Sequence, residues 1–209
     1  PFVLGGAVLC VALQAQQQPT AASLPAPFAT RSTANNSRVV PRPEGAALKV
    51  PDGFSVNEFA GDLNKPRMMA YAPNGDLFVA QSSAGSIVVM RGGNPSQRVE
   101  YATGLQGPFG MAFQGGYFYV GETTRLVRYK YSPGDTKPSG PAEKLADFPD
   151  RGHSTRNVVF NRAGTKMYVA VGSLSNKDAG EPEVRAAVNE YNPDGTGHSP
   201  AWEILYADR

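Results

Sequence analysis

The chain has 209 residues, 41% hydrophobic and 18% charged, with 20 Lys and Arg against 18 Asp and Glu for a net charge of +2. The cations are scattered rather than gathered into a stripe, which excludes nucleic acid as the main partner. A single cysteine, Cys10, excludes an internal disulfide and a thiolate zinc site.

The opening run "PFVLGGAVLCVALQA" is apolar, about as long as a secretory h-region and too short to span a bilayer. We read residues 1–15 as the remnant of a signal peptide, hence export to a periplasmic or secreted location. Leu9 is bulky where a lipoprotein attachment at Cys10 would want a small residue. Residues 16–47 are rich in Gln, Pro, Ala, Ser and Thr without a period of 2 or 3.6, and read as a flexible linker.

From Leu48 the texture changes. "LKVPDGFSVNEFA" alternates around a Pro-Asp-Gly turn and predicts a strand. Three similar passages follow: "NKPRMMAYAPNGDLFVAQSSAGSIVVMRGG", "QGPFGMAFQGGYFYVGETTRLVRYKYSPGD" and "GHSTRNVVFNRAGTKMYVAVGSLSNKD". Each holds a short apolar strand, a tight Gly turn and a second β-rich strand, with Val79, Val120 and Val169 in the same place. The first two add a third strand, "SIVVMR" and "RLVRYKY", and "AAVNEYNPDG" predicts the outer strand of the third. All-β repeats of roughly 40–50 residues are the signature of propeller blades, because one small sheet buries its faces only against neighbours around an axis. Gly (23), Pro (18) and 10% aromatic residues fit that architecture. Three blades and the beginning of another at "AWEILYADR" do not close a ring, so the expectation is an incomplete β-propeller, part of a longer protein.

Propeller sites lie at the central channel, so the loops entering the first strands carry the candidates. "RGHSTRNVV" contributes His153, one of two histidines. An imidazole titrates near pH 6.5 and accepts protons at physiological pH. Arg156 is a candidate for stabilising an oxyanion or a quinone oxygen. Ser173 and Asn176 follow the strand "MYVAVG" and are candidates to face the channel. Bland readings stand beside these: a loop histidine bonded to backbone, a solvated arginine, and self-capping loop residues. His198 reads as a surface residue without a role, and Asp52, Asp76 and Asp194 as turn formers. Dinucleotide, P-loop, HExxH and GxSxG motifs are absent.

Taken together, the ordered segments from Leu48 to Arg209, with "GLQGPFGMAF", "GHSTRNVVF" and "EYNPDGTG" among them, resemble the N-terminal half of the sorbosone/glucose dehydrogenase family. The resemblance implies a six-bladed propeller that oxidises a sugar hydroxyl, with pyrroloquinoline quinone (PQQ) as redox cofactor, calcium as its Lewis acid and an external electron acceptor. It implies that His153 is the general base, and it brings Gln106, Ser173 and Asn176 near the cofactor, beside the candidate Arg156. Glucose-specific members carry an acidic residue where this chain has Gly152, which aligns it with the sorbosone-like branch. The family's calcium ligands and basic quinone ligands fall beyond residue 209, so these residues alone are expected neither to hold PQQ tightly nor to turn over. Two other readings remain at this level: a non-catalytic propeller binding a protein or glycan, and, ranked lowest for want of channel acids, a lactonase-type hydrolase.

Overall fold

The computed structural model describes Ala29, residues 37–176 and residues 180–200. Residues 1–15, read above as a signal remnant, most of residues 16–47, read as a linker, and "AWEILYADR" lie outside the described residues. Among the described residues twelve strands are formed: β1 (Pro66–Tyr71), β2 (Leu77–Gln81), β3 (Ser86–Met90), β4 (Arg98–Ala102), β5 (Met111–Gln114), β6 (Tyr117–Gly121), β7 (Arg125–Lys130), β8 (Glu143–Asp147), β9 (Arg156–Phe160), β10 (Met167–Val171), β11 (Ala187–Tyr191) and β12 (Ser199–Pro200). They form three four-stranded antiparallel sheets, each a meander in chain order: sheet I from β1–β4, sheet II from β5–β8, sheet III from β9–β12. The fold is all-β and propeller-like. Among the described residues no helix is long and apolar enough to cross a membrane.

Sequence logic accounts for the inner three strands of each sheet. The turns "APNGD", "QGG" and "NRAG" join first to second strands, and the central strand of sheet II is apolar on both faces because that sheet is sandwiched between sheets I and III. Phe78, Ala80, Ile87 and Val89 of sheet I pack on Met111, Phe118, Val120 and Val127 of sheet II. On its other side, sheet II gives Tyr119 and Leu126 to Val158, Met167, Val169 and Val171 of sheet III. Val79 and Val169 are third in their strands and Val120 fourth. Val79 and Val120 face away from the following sheet, Val79 into a separate cluster with Leu77 and Met90, while Val169 faces sheet II.

The I–II interface is aromatic. Phe78 is fully buried, with ring centroids 5.0 Å from Tyr101, 4.9 Å from Phe118 and 5.1 Å from Phe113. Such pairs add roughly 0.5–1.5 kcal/mol each beyond burial. Sheets II and III are also tied by polar contacts: Tyr119 Oη and Arg128 Nη1 both donate to Pro193 O, at 3.0 and 2.9 Å.

Two expectations need correction. "LKVPDGFSVNEFA" is not a strand: only its Pro51–Phe54 turn forms, and Leu48, Val50, Phe54, Val56 and Phe59 are exposed. Alternation alone cannot make a strand without a partner to complete its ladder, and none stands beside it among the described residues. Second, β11 is the third strand of sheet III rather than its outer strand, since β12 pairs outside it.

Sheets I and II, and II and III, approach each other at their first strands, β1 beside β5 and β5 beside β9. Gly110, entering β5, donates its N–H to Arg156 O at 2.9 Å. The loops entering these three strands therefore converge, and the site is built there.

Candidate active site

A cavity of about 310 Å³ opens where the three sheets meet, lined by Arg67, Ser82, Ser83, Gly107, Phe109, Thr123, Ser154 and Thr155. Every sheet contributes. Arg67 opens β1, Ser82 and Ser83 turn from β2 to β3, Thr123 turns from β6 to β7, and Ser154 and Thr155 lead into β9. The Arg67 guanidinium sits 5.6 Å from the centroid of the Phe109 ring, a cation–π distance. The lining thus holds one cation, five hydroxyls and one aromatic face, and no carboxylate.

His153 directly precedes the cavity residues Ser154 and Thr155 and is exposed. Its backbone N–H donates to Ser173 O at 2.9 Å, and its Nε2 lies 2.9 Å from Asn176 Oδ1. An amide oxygen only accepts, so with Asn176 in this orientation Nε2 carries the proton and Nδ1 keeps its lone pair. His153, Ser173 and Asn176, expected separately, thus form one group. The Ser173 hydroxyl is spent locally, donating to Ser175 O at 2.6 Å, and that residue serves the group through its carbonyl.

Gln106 stands on the loop of sheet II, beside the cavity residue Gly107. Its N–H donates to Glu122 Oε2 at 2.7 Å, its carbonyl accepts the Thr123 N–H at 2.8 Å, and its side-chain oxygen accepts the Thr124 hydroxyl. Glu122 is fully buried and paired with Arg125 at 3.1 Å. A buried carboxylate therefore holds the loop that carries Gln106. Sequence reasoning missed Glu122, Arg67 and Thr123, because nothing in "VGETTR" or "NKPRMM" marks which side chains turn inward.

Arg156 overturns its expectation. It is neither at the cavity nor solvated, but 0% exposed. Nη1 donates to His153 O at 2.7 Å and Thr155 O at 2.9 Å, and Nη2 to Pro149 O at 2.9 Å. Burial, and then the nearby Arg185 guanidinium, hold its pKa down to about 10, so it is still charged at neutral pH. Its terminal nitrogens are turned to backbone carbonyls, and it does not line the cavity.

His198 is exposed, as a residue without a role would be, yet its Nε2 lies 2.9 Å from Oδ1 of the buried Asn189. Asp76 does more than form a turn: it is buried and accepts the Gly92 N–H at 2.6 Å.

The sequence model described as TrAA12-like matches residues 48–194. The chain belongs to the TrAA12-like family. No curated protein matches it. Among solved structures, this TrAA12-like chain is similar to the PQQ domain of pyranose dehydrogenase from Coprinopsis cinerea in its holo form. That match has a TM-score of 0.62 at 20% identity over 70% of this chain and 38% of that one. A family AA12 carbohydrate-active enzyme of Trichoderma reesei gives 0.57 at 17% identity, covering 68% and 39%. The PQQ-bound aldose sugar dehydrogenase of Streptomyces coelicolor gives 0.52 at 19% identity, covering 67% and 48%. At these identities the likeness is one of fold, and this TrAA12-like chain spans less than half the length of each.

Within the TrAA12-like chain, Gly152 has a backbone reason. Its φ is +76°, and a Cβ there would lie 2.5 Å from Leu174 Cα and from Ser173 O. A side chain there is strained both by the left-handed backbone and by these contacts.

Proposed function

We propose that the three sheets belong to a six-bladed quinoprotein propeller of the sorbosone-like branch, secreted or periplasmic, which oxidises a sugar hydroxyl and passes the electrons to an external acceptor. The observation that carries this reading is the His153–Asn176 pair beside a cavity shared by all three sheets, in a chain of the TrAA12-like family.

The cavity lining fits PQQ in chemistry: a planar anion bearing several carboxylates calls for donors and a cation rather than acids. Arg67, Ser82, Ser83, Thr123 and Ser154 supply these, and the side-chain NH2 group of Gln106 can add another. When bound, PQQ would supply the oxidant and calcium a Lewis acid, although no cluster of carboxylates or imidazoles that could hold the metal stands among the described residues.

The protein's own part is the proton. A C–H bond gives up its hydride more readily as the hydroxyl on the same carbon loses its proton, so a base near neutral pKa favours the step. Asn176 holds the proton at Nε2 and leaves Nδ1 of His153 to accept one from the sugar. Arg156 has no part in cofactor binding here. Its donors serve the loop.

The test is reconstitution of the full-length protein, of which these residues are expected to be a part, with PQQ and calcium, assayed with aldoses and an artificial electron acceptor. His153→Ala is expected to lower kcat by about 10²–10⁴-fold. Full activity in that variant would remove the base from this scheme.

A further inference from the structure

Two arginines are buried together under the His153 loop, and among the described residues neither forms an ion pair with an acid. Arg156 is 0% and Arg185 3% exposed. Arg185 Nη2 donates to Pro149 O at 2.9 Å and also to Arg151 O, while its Nη1 donates to Gly172 O at 3.0 Å and Ser173 O at 3.3 Å. With the bonds from Arg156 to Pro149, His153 and Thr155, the pair gathers six backbone carbonyls, and Pro149 O serves both guanidiniums. Among the described residues the Nε of each arginine has no partner.

A like-charged buried pair is an expensive way to fill a core, because each ion is desolvated and the two repel. Apolar side chains of similar volume would pack as well for less. What the pair does that apolar side chains cannot is fix two irregular segments, 149–155 and 172–173, neither held by a strand ladder except at its β9 or β10 end. These are the segments that carry His153 and approach Asn176. The guanidinium is suited to this, since its donors leave a rigid plane in fixed directions. Two glycines complete the arrangement: Gly152, and Gly172, where a Cβ would lie 2.5 Å from His153 Cβ.

We propose that Arg156 and Arg185 are positioning residues: together they clamp segment 149–155 onto segment 172–173 and so hold the His153 ring against Asn176. This rests on the reading of His153 as the proton acceptor.

Arg185→Lys keeps the charge and removes the fork. In the full chain, nitrogen-detected NMR of the imidazole is expected to show a single tautomer for His153 in the unmodified protein and an averaged ring in Arg185→Lys. With PQQ and calcium added, kcat is expected to fall about tenfold or more while KM changes little, as for a base displaced by a fraction of an ångström. An unchanged ring signal and unchanged kcat in a folded Arg185→Lys protein would overturn the clamp. Should that variant not fold, hydrogen exchange on the unmodified protein decides: the His153 amide is expected to be protected as strand amides are, and exchange as fast as a free loop would overturn the proposal. The NMR and exchange readouts need no turnover. A protein that loses its single tautomer in Arg185→Lys but never oxidises a sugar keeps the clamp and loses only the catalytic reading of His153.

Discussion

Asn176 Oδ1 lies 2.9 Å from Nε2 of His153, and the same two segments are joined again where the His153 N–H meets Ser173 O at 2.9 Å. The imidazole is thus held at its backbone and at its ring tip. Asn176→Ala keeps the backbone tie and removes the other. We expect kcat to fall roughly five- to tenfold, the worth of one hydrogen bond of about 1 kcal/mol, with the His153 tautomers mixed by NMR. A variant with unaltered kcat and a single tautomer would show that the ring needs no partner.

Gly152 and Gly172 are expected to resist substitution for different reasons. Gly152→Asp places a branched polar side chain at φ +76° against Leu174 and Ser173, and should cost about 1–3 kcal/mol. Gly172→Ala pushes directly on the His153 Cβ, so it should lower activity as well as stability. Thermal unfolding of both, with activity of the second, checks this. If Gly152→Asp melts with the parent protein, the backbone has adapted and the steric account of that position fails.

Phe78 is the centre of the I–II interface, edge-on to Tyr101 and Phe113 and tilted against Phe118. Phe78→Ala should cost about 3–5 kcal/mol in denaturant unfolding, because the surrounding rings cannot collapse into the space. A loss below about 1 kcal/mol would mean that sheets I and II do not pack as described.

Alkaline pH should unfold the protein through its buried phenols. Burial raises Tyr191 to about 12 and also raises Tyr101, Tyr119 and Tyr129 above the ordinary value of 10.0. A folded-state pKa above the unfolded one means that the folded protein holds its phenol protons longer. The stabilisation is therefore fully present below about pH 10 and is lost as pH rises through about 12. Tyrosinate absorbance followed alongside circular dichroism should show the buried phenols ionising together with loss of structure. Ionisation of all the tyrosines near pH 10 with the fold intact would contradict this.

Much of the architecture was legible in the chain. Periodic apolar runs and Gly-containing turns mark β1–β3, β5–β7 and β9–β11, since strand faces and tight turns are local demands. The outer strands β4 "RVEYA" and β8 "EKLAD" carry no such mark, because they are polar and mostly exposed and are strands only by pairing with β3 and β7. The stretch from Leu48 fails in the opposite sense, having the alternation but no neighbour to complete its ladder.

For the site, residue identity singled out His153 and the likeness of whole segments supplied the chemistry to expect of it. Which side chains meet was decided by tertiary structure alone. Asn176 reaches the imidazole, Glu122 anchors the Gln106 loop, and Arg156 turns away from the cavity to join Arg185. A charged side chain reads the same in sequence whether it faces solvent, ligand or backbone. Only the packing of segments distant in the chain sets which of these satisfies its donors, and so which task it performs.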